Sequence, residues 1–289
     1  MSSPARPRRS ALYMPASNPR AVEKARNLAC DVVILDLEDA VLPDLKGRAR
    51  EAAVAAVKAG GFGRREVLIR VNALSTPWGE ADLAAAAAAG PDGVLAPKIM
   101  GPGDIAAYDR ALAVAPAHTR LWAMIETPQA ILALDAIAGA PSRLAALCMG
   151  TNDLAKEMGA RQTPGREPFW AAMSLTVTAA RAYGLSVLDG VHNEIDDLTA
   201  LEAVCRQGVD FGFDGKSLIH PSHLPICNAA FSPAPEEVAH ARAVIAAFDD
   251  PENVGKGALR VGGRLTELLH RDQAVSLVAI ADAIAAGEA

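Results

Sequence analysis

The sequence has no run of apolar residues approaching the ~20 that a helix needs to cross a bilayer, no excess of positive charge, and no two cysteines in C-x-x-C spacing. The first absence argues for a protein that works in water. The second, a formal net charge of -6, argues against a broad nucleic-acid-binding surface while leaving room for a local basic pocket that takes a phosphorylated ligand. The third leaves Cys30, Cys148, Cys205 and Cys227 scattered, three of them in apolar or helical contexts, which reads as reduced structural thiols in the cytoplasm. Also missing are a legible Ser-His-Asp arrangement and a dinucleotide-binding glycine fingerprint. "GGFGRRE" (Gly60–Glu66) is glycine-rich, but it precedes a strand instead of bridging strand to helix, so it reads as a flexible loop. The one locally basic stretch, "RPRRS" (Arg6–Ser10), is followed by no apolar signal-peptide core and reads as a solvated leader.

What is present is material for a large core: 51% of the residues are hydrophobic and 21% charged. A chain of 289 residues fits two small domains or one α/β barrel of about 250 residues. Short β-like runs occur at "ALYMPA" (Ala11–Ala16), "DVVILDLE" (Asp31–Glu38), "VLIRVN" (Val67–Asn72) and "GVLAPK" (Gly93–Lys98). Four more follow at "RLWAMIE" (Arg120–Glu126), "LAALCMG" (Leu144–Gly150), "LSVLDG" (Leu185–Gly190) and "GVDFGFDG" (Gly208–Gly215). Most are nearly continuous apolar runs, as expected of strands covered on both faces. Between them lie Ala-rich amphipathic stretches such as "LKGRAREAAVAAVKAG" and "LTALEAVCRQG", several ending in glycine. Eight β-then-α units favour a closed (β/α)8 TIM barrel over an open doubly wound sheet. The barrel is expected over residues 1–229 and a C-terminal helical extension over 230–289, with helices around "PEEVAHARAVIAAF" and "GGRLTELLHRDQAVSLVAIADAI". Leu265, Leu268 and Leu269 of that extension need a surface to bury them, and a neighbouring subunit offers one.

In such a barrel the chemistry sits at the carboxyl ends of the strands. Polar residues gather there: Asp36, Glu38 and Asp39; Arg70 and Asn72; Lys98; Glu126; Asn152 and Asp153; Asp189 and His192; Asp214 and Lys216. Glu126 and Asp153 end the fifth and sixth runs and should project side by side. Two close carboxylates repel, so one is protonated or a cation lies between them. Mg²⁺ suits such a place because it takes one or two protein carboxylates and keeps positions for water and ligand. The alternative has Asp153 capping the next helix and Glu126 pairing with a basic side chain such as Lys98. Arg70 has no hydrophobic reason to stand in "VLIRVN". Its planar fork offers two parallel donors to a carboxylate or enolate-like oxygen, or it pairs internally with Asp36 or Glu38.

Taken together, "RSALYMPASNPRAVEKA", "VILDLEDAV", "IRVN", "APK", "MIETP", "GTNDLA", "DGVHNEIDD" and "GFDGKSLIHPSH" resemble, in order and approximate spacing, the citrate lyase β-subunit-like branch of the HpcH/HpaI aldolase superfamily. The resemblance runs from Ser10 to about Leu269. It implies a (β/α)8 barrel that binds Mg²⁺ (or Mn²⁺) and a CoA thioester, with Glu126 and Asp153 as metal ligands, Arg70 facing the substrate and Lys24 near a CoA phosphate. It also implies a homotrimer or homohexamer in which a C-terminal segment covers a neighbour's site.

The resemblance is imperfect where reaction type is decided. Many carbon–carbon lyases of the group carry a catalytic aspartate in a Val/Ile-Asp-x-Pro segment, whereas the corresponding stretch here is "GGRLTELLH", with Glu267 and no proline. That ending resembles the (3S)-malyl-CoA thioesterase group, which implies hydrolysis to malate and CoA with Glu267 as the base, acting from a neighbouring subunit. Lyase cleavage and a non-catalytic CoA-ester-binding subunit are the alternatives. Ala16 and Asn18 stand where many relatives have Gly and Arg, and "ARQTPGREP" after Gly159 is either a lid or plain surface.

Overall fold

The structure is a computed structural model and describes residues 6–288. Its contacts divide it into two compact units, Arg8–Phe231 and the segment from Ser232 onward together with Arg6 and Pro7. In the first, β1 (Ser10–Pro15), β2 (Val32–Asp36), β3 (Glu66–Arg70), β4 (Gly93–Ala96), β5 (Arg120–Ile125), β6 (Leu144–Met149), β7 (Ser186–Asp189) and β8 (Gly215–Leu218) form a closed barrel. Each strand pairs in parallel with the next, and β8 pairs with β1. Helices alternate with them: α1 (Pro19–Ala25), α2 (Lys46–Ala59), α3 (Gly79–Ala89), α4 (Pro102–Ala111), the short α5 (Pro128–Leu132) and α6 (Leu134–Ala138), α7 (Thr151–Met158), α8 (Trp170–Ala182), α9 (Leu198–Phe211) and α10 (Leu224–Ala230).

The continuous apolar runs conceal a strict alternation. Ala11, Tyr13, Val32, Ile34, Leu68, Leu95, Trp122, Met124, Ala146, Cys148 and Leu188 form one buried cluster, the barrel interior. Their neighbours Leu12, Val33, Leu35, Ile69, Val94, Ala123, Leu147 and Val187 belong to a second cluster, where strands meet helices. Both faces are apolar, so period two is invisible to hydropathy. Counting in twos from Ile34, Leu68 and Met124 puts Asp36, Glu38, Arg70 and Glu126 on the interior side, at the mouth.

The floor of the barrel overturns the reading of the basic N-terminal stretch as a solvated leader, from Arg8 on. Arg8 donates to both oxygens of Glu66 at 2.8 and 2.9 Å and to Ser186 Oγ at 2.7 Å, with its guanidinium 5.0 Å from the Trp122 ring. The strand starts of β3 and β7 supply a carboxylate and a hydroxyl, and β5 supplies an aromatic face, which together suit a planar five-donor cation. Arg9 pairs with Asp31 at 2.9 Å.

The eighth strand lies later than the sequence suggested. Gly208–Phe211 closes α9, Gly212 ends that helix at φ 92°, and the strand is the short "GKSL" of β8. A lysine in its middle hid it from a hydropathy reading. Gly215 is required because a Cβ there would lie 1.9 Å from the Arg8 carbonyl oxygen. The shift moves Asp214 to the opposite end of the barrel, where it pairs with Arg181 at 2.6 Å and accepts from Val187 N at 2.8 Å.

In the second unit, α11 (Pro235–Asp249) and α12 (Leu268–Glu288) are accompanied by an antiparallel hairpin of β9 (Ala258–Val261) and β10 (Arg264–Glu267). The start of the second expected helix, "GGRLTE", is therefore turn and strand. Gly262 and Gly263, at φ 55° and 83°, supply the two positive φ values of a two-residue turn. Its core is Ala241, Val244, Phe248, Val261 and Ala274. Among the described residues no helix is long and apolar enough to cross a membrane, and all four cysteines are buried free thiols.

Candidate active site

Strand register sets the first wall of the mouth: Asp36, the last residue of β2, is the partner of Arg70, the last of β3. Arg70 Nε and Nη2 donate to the two Asp36 oxygens at 2.7 Å each. The two parallel donors anticipated for a ligand are thus committed inside the protein, and the internal-pair alternative is the one the fold builds. Nη1 remains, 2.9 Å from Glu38 Oε2 and 3.8 Å from Met124 Sδ, with the Tyr13 ring 4.6 Å below the guanidinium. Burial works to raise the Asp36 carboxyl, but the Arg70 charge and hydrogen bonds, with backbone N–H groups of Glu38 and Ala40, outweigh it and hold the carboxyl below its usual range. Glu38 goes the other way: burial pushes it up to about 8, against the pull of Arg70 and helped by Glu126. Close as it is to Nη1, Glu38 Oε2 receives no hydrogen bond of acceptable direction.

The second wall is β4 to α7. Glu126 is 1% exposed; its Oε1 accepts from Lys98 N at 2.7 Å, and its Oε2 is buried without a partner. Burial raises its pKa, opposed by Lys98 and helped by Asp153. Asp153 lies in the first turn of α7 but does not cap it; the N-cap is Gly150. Its Oδ2 is 2.5 Å from Lys98 Nζ, which is also 3.5 Å from Glu126 Oε1. The two carboxylates do converge, and an ammonium lies between them. Lys98 reaches this place from a left-handed backbone, φ 53°, after Pro97.

Beneath these groups lies a scaffold that sequence reasoning missed. Buried Lys46 donates to the Leu37 and Glu38 carbonyls and to Asn72 Oδ1 at 2.7–2.8 Å, while Asn72 donates to Asp82. Asn72 therefore ties loops together. Asp189, fully buried, accepts from Lys216 at 2.9 Å and from Arg166 at 2.7 Å. Burial raises its pKa, but the two cations prevail and lower it. Arg166 belongs to the "ARQTPGREP" loop, and Gln162 of the same loop bonds Asn152, which also bonds Asn193. That loop is anchored.

A family model described as HpcH/HpaI aldolase/citrate lyase matches residues 9–221. The chain belongs to this family. It is 46% identical over 286 residues, 99% of each chain, to a (3S)-malyl-CoA thioesterase of Cereibacter sphaeroides. It is 32% identical to an L-malyl-CoA/beta-methylmalyl-CoA lyase of the same species, over 98% of this chain and 97% of that one. Among solved structures, the protein CitE of Mycobacterium tuberculosis in complex with magnesium, acetoacetate and coenzyme A aligns with a TM-score of 0.76 at 29% identity, covering 94% of this chain and 97% of that one.

The magnesium in that CitE complex makes it necessary to ask whether this mouth fits one. Two observations say that it does. Glu126 Oε2 is a buried carboxyl oxygen with no hydrogen-bond partner, and Gly150 leaves it space, since a Cβ there would fall 2.5 Å from that oxygen. Among the described residues no three His, Cys, Asp or Glu side chains gather to hold an ion, so the rest of a shell would be water and ligand, as Mg²⁺ accepts. Lys24 is exposed on α1 and, among the described residues, makes no ion pair with the mouth carboxylates; Asn18 caps that helix, accepting from Ala21 N at 3.2 Å. Glu267 ends β10 in the second unit with its carboxylate exposed and its N–H donating to His270 Nδ1 at 2.9 Å.

Proposed function

We propose that the chain is a Mg²⁺-dependent enzyme that hydrolyses a malyl-CoA-like 3-hydroxyacyl-CoA to malate and CoA. The observation that carries this reading is one mouth with a guanidinium on one wall and a converging carboxylate pair on the other, in a chain 46% identical along its whole length to a (3S)-malyl-CoA thioesterase. Glu126 and Asp153 would hold the Mg²⁺, or Mn²⁺ in its place, which supplies a Lewis-acid anchor for the hydroxyl and carboxylate oxygens of the substrate. Arg70 contributes Nη1, the nitrogen not engaged by Asp36, to the thioester oxygen as charge develops there. Water adds to the thioester carbon, the carbon–sulfur bond breaks, and the thiol of CoA leaves. Glu267, from a neighbouring subunit, is the base that takes the water proton, and Lys24 meets a CoA phosphate.

Subunit sharing is supported by Leu265, Leu268 and Leu269, which flank Glu267 and are 72%, 54% and 52% exposed. A homotrimer or homohexamer that buries residues 230–289 of one chain on the barrel of another would cover them. The buried free thiols suit a cytoplasmic enzyme. The 32% identical lyase supports a second reading in which the same base removes the hydroxyl proton and the carbon–carbon bond breaks; the missing Asp-x-Pro segment favours hydrolysis. A panel of CoA esters, with free thiol and keto acid scored separately, tests both. Thiol without keto acid is the expected result; keto acid in equal amount makes it a lyase, and tight binding without product makes it a non-catalytic subunit.

A further inference from the structure

We infer that Lys98 is a displaceable counter-ion: its ammonium holds Glu126 and Asp153 together until a divalent ion replaces it, and is then freed to receive the carboxylate of the substrate. The inference rests on the reading of Glu126 and Asp153 as metal ligands.

Three features support it. The first is position. Nζ lies 2.5 Å from Asp153 and 3.5 Å from Glu126, between the carboxylates, where an ion shared by them must also be. The second is incompleteness. Both contacts leave Glu126 Oε2 buried and unpartnered, so a single positive charge satisfies only part of what the two side chains offer. The third is the contrast between a fixed backbone and a free side chain. Lys98 N is bonded to Glu126 Oε1 at 2.7 Å, whereas the side chain is 34% exposed on a flexible four-carbon stem. The ammonium can leave without disturbing the backbone bond that orients Glu126.

Charge counting gives the consequence. Two carboxylates and one ammonium sum to minus one, a mouth that repels an anionic acyl group. With a divalent ion between the carboxylates and the ammonium released, the same groups sum to plus one. Arg70 cannot make this change, because Asp36 matches its charge in either state. Metal loading therefore precedes and enables recognition of the substrate carboxylate, and Lys98 is a substrate-binding residue that couples the two.

Calorimetric titration of the full-length chain tests this without turnover. Mn²⁺ is titrated into metal-free wild type, K98M and K98R, and L-malate is then titrated into each Mn²⁺-saturated protein. Should K98M fold poorly, K98Q replaces it. K98M is expected to bind Mn²⁺ roughly tenfold more tightly, and its Mn²⁺ complex to bind malate roughly tenfold more weakly, each on the scale of one charge-assisted hydrogen bond. K98R should regain malate binding. Unchanged or weaker Mn²⁺ binding by K98M overturns the competition, and unchanged malate binding overturns the hand-over. Equal Mn²⁺ binding by wild type and Asp153→Asn would instead remove the metal site itself, a separate failure that takes this inference with it.

Discussion

Arg70→Ala strips the partner from a carboxylate with none of its surface exposed. Asp36 is held by two 2.7 Å bonds from Arg70, and breaking a buried pair by removing one member costs about 3–5 kcal/mol because the other charge is left uncompensated. Asp36 keeps backbone bonds from Glu38 N at 2.9 Å and Ala40 N at 3.2 Å, which places the expected loss at the lower end. Against the 5–15 kcal/mol typical of a folded protein, that is enough to confuse lost activity with lost fold. Urea unfolding followed by tryptophan fluorescence measures it, since Trp78, Trp122 and Trp170 all lie in the barrel unit. Adding Asp36→Asn to Arg70→Ala removes the stranded charge and should recover most of the stability but none of the activity. The pH dependence has a definite sign. Asp36 is lowered below its ordinary 3.8 in the folded protein, so its pairing stabilises wild type above that pH and the contribution disappears as pH falls through the folded value. The gap between wild type and Arg70→Ala should therefore narrow on acidification. An Arg70→Ala protein within about 1 kcal/mol of wild type at pH 7, well under the buried-pair range, would refute the reasoning.

Asp153→Asn should fold normally and lose thiol release; wild-type rates for this variant in chelator would move the metal elsewhere. Glu38 is raised from 4.5 to about 8, so the folded state holds a proton that the unfolded chain releases between those values, and stability falls as pH climbs through that window. Glu38→Gln should gain on wild type from pH 5 to 8, by up to about 1.4 kcal/mol per pH unit, and parallel stability profiles in chelator would count against the burial argument. Glu267→Gln should bind CoA esters yet release no thiol, and mixing it with Asp153→Asn should restore part of the activity in hybrid oligomers. Asp153→Asn is the better complement because Arg70→Ala also loses stability, and absence of rescue despite proven subunit exchange would return Glu267 to its own chain.

How far the sequence reached depended on the kind of interaction. Apolar runs of strand length with Ala-rich helices between them dictate a sheet buried on both sides, and polar residues where those runs stop mark one mouth; that much is local, and it placed Arg70 and Glu126 at strand ends, whereas Asp153, expected to end the sixth strand, lies in the first turn of α7. Which groups those side chains meet is not local. Arg70 is 34 positions from Asp36 and Lys98 is 55 from Asp153 by their numbering, and only parallel register brings them into contact. Hydropathy also misread β8, whose Lys216 is buried because Asp189 of β7 neutralises it, and the leader, whose Arg8 closes the barrel floor against Glu66 and Ser186. In each case a charge looked like surface because its counter-charge comes from a different strand. Burial of an ion depends on its partner, and partners across a closed barrel are chosen by the tertiary fold.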